Sequence, residues 1–260
     1  MTTNCGNILN LEEAWAIVNN GRRTIELEEG WAIIYKAILQ LRSRLEEGDL
    51  KCQVTAEEYS ILYTIVCNMC SQNYPRYAEK LYDRYKDSIK EYIDSMVLPA
   101  LKEQIDDQSM LRELVKCLNI HKAMLHWMNA FFEYLGRYFI ETRSLPALRE
   151  VGIMYFRDLV FRVERINLKN AAIALIDQEL EGQETDGTLL KDVVGIFAEL
   201  DMDFYTNDFE VAMLEHTGAY YSRKAASWIL EDSYKDYMLR IEECLRRVKD
   251  RVARYLHRSS

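Results

Sequence analysis

The sequence predicts an all-α fold, and three observations carry that reading. Only 3 prolines and 10 glycines occur in 260 residues, too little turn material for the many short strands of a β-sandwich. The hydrophobic share is 49% and the charged share 29%, the balance of a folded globular chain. Apolar residues recur at three- and four-residue spacing along most of the sequence, the period of helices that bury one face. The length suits one large domain or two of ordinary size.

The elements follow in order. Leu11-Glu12-Glu13-Ala14-Trp15-Ala16-Ile17 is nearly copied by Leu27-Glu28-Glu29-Gly30-Trp31-Ala32-Ile33. Two copies are too few for a solenoid built on this unit, which needs about three, so the first reads as a local duplication without an assigned packing site. The second runs into Ile34, Ile38, Leu41 and Leu45, a helical stripe ending near Gly48.

The segment Thr55–Cys70 opens with Thr55 as N-cap and Glu58 placed to complete a capping box. Glu57 and Glu58 suit the positive end of the helix dipole. On a helical wheel, Ile61, Leu62, Ile65 and Met69 form one apolar face, and Tyr59, Tyr63, Cys67 and Cys70 form a second. Only Thr64 and Asn68 mark a polar side. One core contact needs an arc of about 100°, so the tyrosine face is either covered by a larger core or kept for a partner, where aromatic side chains are enriched.

A break at Gln72-Asn73-Tyr74-Pro75 precedes a long amphipathic segment from Arg76 towards Asp106, with Pro99 marking a kink or boundary. A short helix is expected over Ser109–Leu118, then a separate, strongly apolar one over Ile120–Ile140. In the latter, Met124, Trp127, Met128, Phe131, Tyr134, Leu135 and Tyr138 make a stripe, and Leu125, Phe132 and Phe139 widen it. Lys122, His126, Asn129, Glu133 and Arg137 hold the other side. This second wide arc is the second candidate docking face. Ser144-Leu145-Pro146 is a boundary, with Pro146 at a first-turn position. Helices are then expected over Ala147–Val163, Leu168–Leu180, Thr188–Leu200, Asp208–His216, Ala219–Leu230 and Tyr234–His257.

Charge and motifs exclude several functions. A net charge of −9 and a pI near 5.1 disfavour nucleic acid, whose phosphates would be repelled. The basic run Arg246–Arg258 alternates with apolar residues, as on the solvated side of an amphipathic helix. Met1–Asn10 lacks signal-peptide order, and no apolar run approaches the ~18 residues of a membrane span. The protein is therefore expected to be intracellular, and its six cysteines to be reduced and mostly buried. Cys67-Asn68-Met69-Cys70 has metal-ligand spacing, but no second pair completes a four-ligand zinc site. His121 and His126 are five apart, diverge on a helix, and read as surface or interface residues. No nucleophile, phosphate or dinucleotide motif occurs. Neither enzymatic activity nor a cofactor is expected.

Taken together, the segments resemble the N-terminal part of a plant cullin of the first class, the scaffold of SCF-type ubiquitin ligases. The residues that carry this include Leu27-Glu28-Glu29-Gly30-Trp31, Glu58-Tyr59 with Leu62-Tyr63-Thr64, and Asn68-Met69-Cys70. They continue with Leu81-Tyr82-Asp83, Val97-Leu98-Pro99-Ala100-Leu101 and Met110-Leu111-Arg112-Glu113-Leu114. Further on come Tyr134-Leu135-Gly136-Arg137-Tyr138-Phe139-Ile140, Arg143-Ser144-Leu145-Pro146 and Phe156-Arg157-Asp158-Leu159-Val160. Tyr220-Tyr221-Ser222-Arg223-Lys224-Ala225 and Tyr255-Leu256-His257 complete them.

The resemblance implies an elongated stalk of tandem five-helix cullin repeats. The expected division is an N-terminal extension over 1–24, a first, adaptor-binding repeat over 25–145, and a second repeat over 146–260 lacking its last helix. In that family the second and fifth helices of the first repeat bind a Skp-type adaptor that carries an F-box substrate receptor. Here those helices correspond to Thr55–Cys70 and Ile120–Ile140, so the implied contact residues are Tyr59, Ser60, Tyr63, Cys67, Leu125, Met128, Asn129 and Phe132. Where the family usually has a methionine and an aromatic, this chain has Ser60 and Cys67, which shrinks the implied face. The chain is also expected to lack the cullin-homology domain, the RING-box site and the modifier-accepting lysine, so no RING-box subunit is expected to bind. The uncovered second repeat is then expected to expose apolar surface. The competing reading is a degenerate or truncated cullin without adaptor binding, or a fragment of a longer one.

Overall fold

The computed structural model describes residues 8–19, 24–48, 53–72, 74, 76–183 and 185–255. The described residues contain helices and connecting turns and no strand, as the composition predicts. By packing they divide into two compact units: the chain up to Val97 with Cys117–Phe156, and Leu98–Lys116 with Arg157 onward. This division interleaves the chain, whereas the boundary expected after residue 145 follows sequence order.

In the first unit, α1 (Leu11–Asn19), α2 (Leu27–Glu46), α3 (Ala56–Ser71) and α4 (Ala78–Tyr92) are followed by a π-helical turn at Ile93–Val97. The unit then takes in the C-terminal part of α6 (Asp107–Phe131), α7 (Glu133–Leu135), a π turn over Gly136–Ile140, a 3-10 turn over Glu141–Arg143, and α8 (Leu148–Phe156). Gly48 ends α2 at φ +97°, a left-handed conformation that a Cβ would strain. The core joins Ile34 and Leu41 of α2, Ile61, Leu62, Ile65 and Met69 of α3, Tyr85 and Ile89 of α4, and Met124, Met128, Phe131 and Phe132, all essentially solvent-free. Phe132 packs edge-on to Tyr85 at 5.4 Å and against Trp31 at 6.4 Å. The Tyr85 hydroxyl donates to the Leu148 carbonyl at 3.0 Å, so this buried phenol is satisfied.

In the second unit, α5 (Leu98–Lys102) and the start of α6 accompany a π turn at Arg157–Phe161, α9 (Arg162–Leu180), α10 (Gly187–Leu200), α11 (Met202–Phe204), a π turn at Tyr205–Phe209, α12 (Glu210–Glu231) and α13 (Tyr234–Tyr255). Asp186 caps α10 through the Leu189 amide and Asp201 caps α11 through Phe204. Phe161, Phe197, Phe204 and Phe209 form its aromatic centre, with ring centroids 5.1–5.6 Å apart.

Several sequence expectations are corrected. Ser109–Leu118 and Ile120–Ile140 do not form two helices: α6 runs unbroken through Asn119, which points to solvent and neither lacks an amide nor strains the backbone. For the same reason no gap separates Val163 from Leu168 within α9, and exposed Gly218 leaves α12 continuous. Pro146 precedes α8 by two residues and is not in its first turn. A π turn leads into Pro99, where the ring removes one backbone donor. Of the break after α3, Asn73 and Pro75 lie outside the described residues, as do Leu256 and His257. Among the described cysteines only Cys117 is buried, while Cys67, Cys70 and Cys244 are partly exposed.

His121 is also corrected: it is 0% exposed, parallel to Tyr92 at 6.1 Å and 5.1 Å from the Phe156 ring. Its Nε2 lies 2.9 Å from the Gly152 carbonyl, and burial pulls its pKa down to about 4, which keeps the ring neutral. Gly152 is required beside it, since a Cβ there would fall 2.3 Å from a Leu125 methyl. His126 is at the surface.

Candidate functional site

The site is built on α3. Its Thr55 side chain accepts from the Glu58 amide at 3.2 Å, and Glu58 returns its carboxylate to the Thr55 amide at 3.0 Å, the capping box the sequence predicts. Glu58 does more than that box requires. It is 0% exposed, and its second oxygen accepts from the amides of Ile8 and of Leu9, the latter at 3.2 Å. The N-terminal segment is thereby held to the head of α3.

Beyond the first turn, Ile61, Leu62, Ile65, Val66 and Met69 are enclosed by the core, whereas Tyr59, Tyr63, Cys67 and Cys70 are half-buried and Ser60 is exposed. The tyrosine face is thus partly covered by the unit's own residues. The Tyr59 hydroxyl donates to Glu133 of α7 at 3.2 Å, and Glu133 also pairs with Arg137. Burial first, then Glu133, holds the Tyr59 phenol above its usual range. The open part of the arc is Ser60, Tyr63, Thr64 and Cys67, with the Tyr63 ring tilted against that of Tyr59 at 6.1 Å.

The second predicted face divides. Leu125, Met128 and Phe132 are 0–1% exposed and are not surface contacts, which corrects the implied set. Leu125 closes on Gly152, and Phe132 on Tyr85 and Trp31; the wide apolar arc is consumed by packing on several sides. Asn129 alone of these four is exposed.

What the segment does present is a pair the sequence placed in its core stripe. Tyr138 is 61% exposed, and its ring lies 4.5 Å from that of half-buried Tyr134. Tyr134 sits beside Cys67 and Cys70. Together with Ser71, Arg76 and Arg143 these tyrosines line an open groove of about 460 Å³. The hydroxyls were the available signal, since a phenol is more often placed at a wet boundary than a phenyl ring. Burial raises the Cys70 thiol to about 12, so it is a neutral packing group. Among the described residues no three His, Cys, Asp or Glu side chains converge as metal ligands, and no helix is long and apolar enough to cross a membrane.

Comparison with known proteins agrees with this architecture. The cullin alpha solenoid domain matches residues 31–260. The chain is 53% identical to Cullin-1 of Oryza sativa subsp. japonica over 92% of its own length and 32% of the relative's. It is 39% identical to Cullin-2 of Arabidopsis thaliana over 95% of its length and 32% of that protein. It is 38% identical to Cullin-like protein 3 of Arabidopsis thaliana over 82% of its length and 84% of the relative. The chain thus spans about a third of Cullin-1 and Cullin-2 and most of Cullin-like protein 3.

Proposed function

The chain belongs to the cullin family, whose members are scaffolds of ubiquitin ligases, and on that premise we propose that it binds a Skp-type adaptor and, through it, F-box proteins. The contact surface is the open arc of α3, namely Ser60, Tyr63, Thr64 and Cys67, bordered by Tyr59, Asn129, Tyr134 and Tyr138. The observation that carries this reading is the grouping of four half-buried or exposed tyrosines in one unit, Tyr59 and Tyr63 on α3, Tyr134 on α7 and Tyr138 on the π turn that follows it. Tyrosine supplies a large, rigid contact with a polar tip, the side chain enriched where proteins dock.

The role is that of a scaffold in ubiquitin-dependent degradation, within nucleus and cytoplasm; imaging of a fluorescent fusion tests the compartments. Ser60 and Cys67 are small, so the adaptor's centre meets less side chain than a methionine and an aromatic would give. Truncating central interface residues costs about 1 kcal/mol or more each, and the expected affinity is correspondingly modest.

The test is co-purification of the full chain with purified Skp-type adaptor. Retention of the adaptor, weakened by Tyr63→Ala and unchanged by Glu181→Ala, supports the proposal. No retention at high micromolar concentration rejects it in favour of a cullin-like chain without adaptor binding.

A further inference from the structure

The first copy of the duplicated heptapeptide has no part in the surface just described. The copies differ only at Ala14 and Gly30, yet their tryptophans have opposite fates. Trp31 is buried, stacked on Tyr35 at 6.0 Å and packed against Phe132. Trp15 is half-buried at the surface and donates Nε1–H to Glu57 at 2.8 Å.

Gly30 accounts for the difference. A Cβ there would stand 2.3 Å from Sδ of Met69, a side chain that is 0% exposed and has little room to yield. The copy carrying Ala14 would have to displace that thioether to sit there, which favours the copy carrying Gly30. It docks on the flank of α3 instead, with Ala14 1% exposed, the Ile8 and Leu9 amides on Glu58, and Glu13 3.6 Å from Lys36.

That flank adjoins the open arc. Glu57 and Ser60 are three residues apart and share a face of α3, so the carboxylate that holds the Trp15 indole lies one turn from Ser60, away from Tyr59 and its partner Glu133. Around the helix, exposed Ser60 falls between Glu57, which holds Trp15, and Tyr63. We propose that α1 is the second wall of the docking surface and that Trp15 contacts the Skp-type adaptor directly. This rests on the adaptor reading above and extends that surface continuously across the α3 flank. Indole is among the side chains most enriched at interface hot spots, and Trp15 supplies bulk beside the small Ser60.

The experiment is fluorine NMR of the full chain carrying 5-fluorotryptophan at its 4 tryptophans, titrated with purified Skp-type adaptor. The Trp15 resonance, assigned by its loss in Trp15→Phe, is expected to shift or broaden while that of Trp228 does not. Trp15→Ala is expected to weaken binding about tenfold, with Trp15→Phe restoring most of it. If the complex forms but the Trp15 resonance is unmoved and Trp15→Ala binds as tightly as the parent chain, the role of α1 is overturned and the adaptor reading stands. If the parent chain binds no adaptor, both fall.

Discussion

Replacing Glu58 by alanine is the sharpest test of how the site is held. The carboxylate is fully enclosed and accepts four hydrogen bonds: the Thr55 amide and hydroxyl on one oxygen, the Ile8 and Leu9 amides on the other. Losing the capping half costs about 1 kcal/mol. The two N-terminal amides then either stay buried and unsatisfied, at about 1–3 kcal/mol each, or swing out and expose Ile8 and Leu9, at about 1.5–3 kcal/mol each. Either route brings the total to roughly 3–7 kcal/mol. At about 2–4 °C per kcal/mol for a domain of this size, the melting temperature should fall by roughly 6–28 °C. Thr55→Ala removes only the cap and should cost about 1 kcal/mol. Urea denaturation of the three proteins measures this; the reasoning is refuted if Glu58→Ala lies within 1 kcal/mol of the parent, or if Thr55→Ala is equally damaging.

Three further outcomes are expected. His121 is neutral when folded, with a pKa of about 4 against 6.5 for the free group; the unfolded chain takes up the proton first, so stability is full above about 6.5 and falls as pH drops towards 4, by about 3 kcal/mol at most. His121→Gln should flatten that part of the stability–pH curve. Gly152→Ala should destabilise by about 1–3 kcal/mol through the clash with Leu125, whereas Gly195→Ala, which meets nothing within 4 Å, should stabilise α10 by about 0.5–1 kcal/mol; thermal melts compare them. Tyr138→Ala should leave stability within about 0.5 kcal/mol but weaken adaptor binding by about 1 kcal/mol or more by calorimetry.

The helix content, the α3 cap and its two faces were legible because each depends on residues within a few positions of one another. What the wheel could not show is how many neighbours a helix has. Leu125 and Phe132 broadened an apolar arc and so looked available for a partner, yet both are closed off by Gly152, Tyr85 and Trp31, residues distant in sequence. His121 was misplaced for the same reason, its aromatic cover coming from Tyr92 and Phe156. Tyr138 erred the other way: counted by hydrophobicity it entered the core stripe, and only its position past Phe132, where α6 gives way to α7 and a π turn, puts it at the surface. The boundaries expected near Asn119 and Gly218 are absent because neither residue blocks a helix: α6 and α12 run through them with both side-chain positions facing solvent, held by packing on either side that local spacing does not show.

The central claim is that the open arc of α3 and the neighbouring tyrosine pair form an adaptor-binding face. Hydrogen exchange of the full chain with and without purified Skp-type adaptor locates that face directly. Protection concentrated in peptides covering Tyr59–Cys70 and Asn129–Tyr138 is the predicted result, and adaptor binding that leaves both segments exchanging as in the free chain would contradict it.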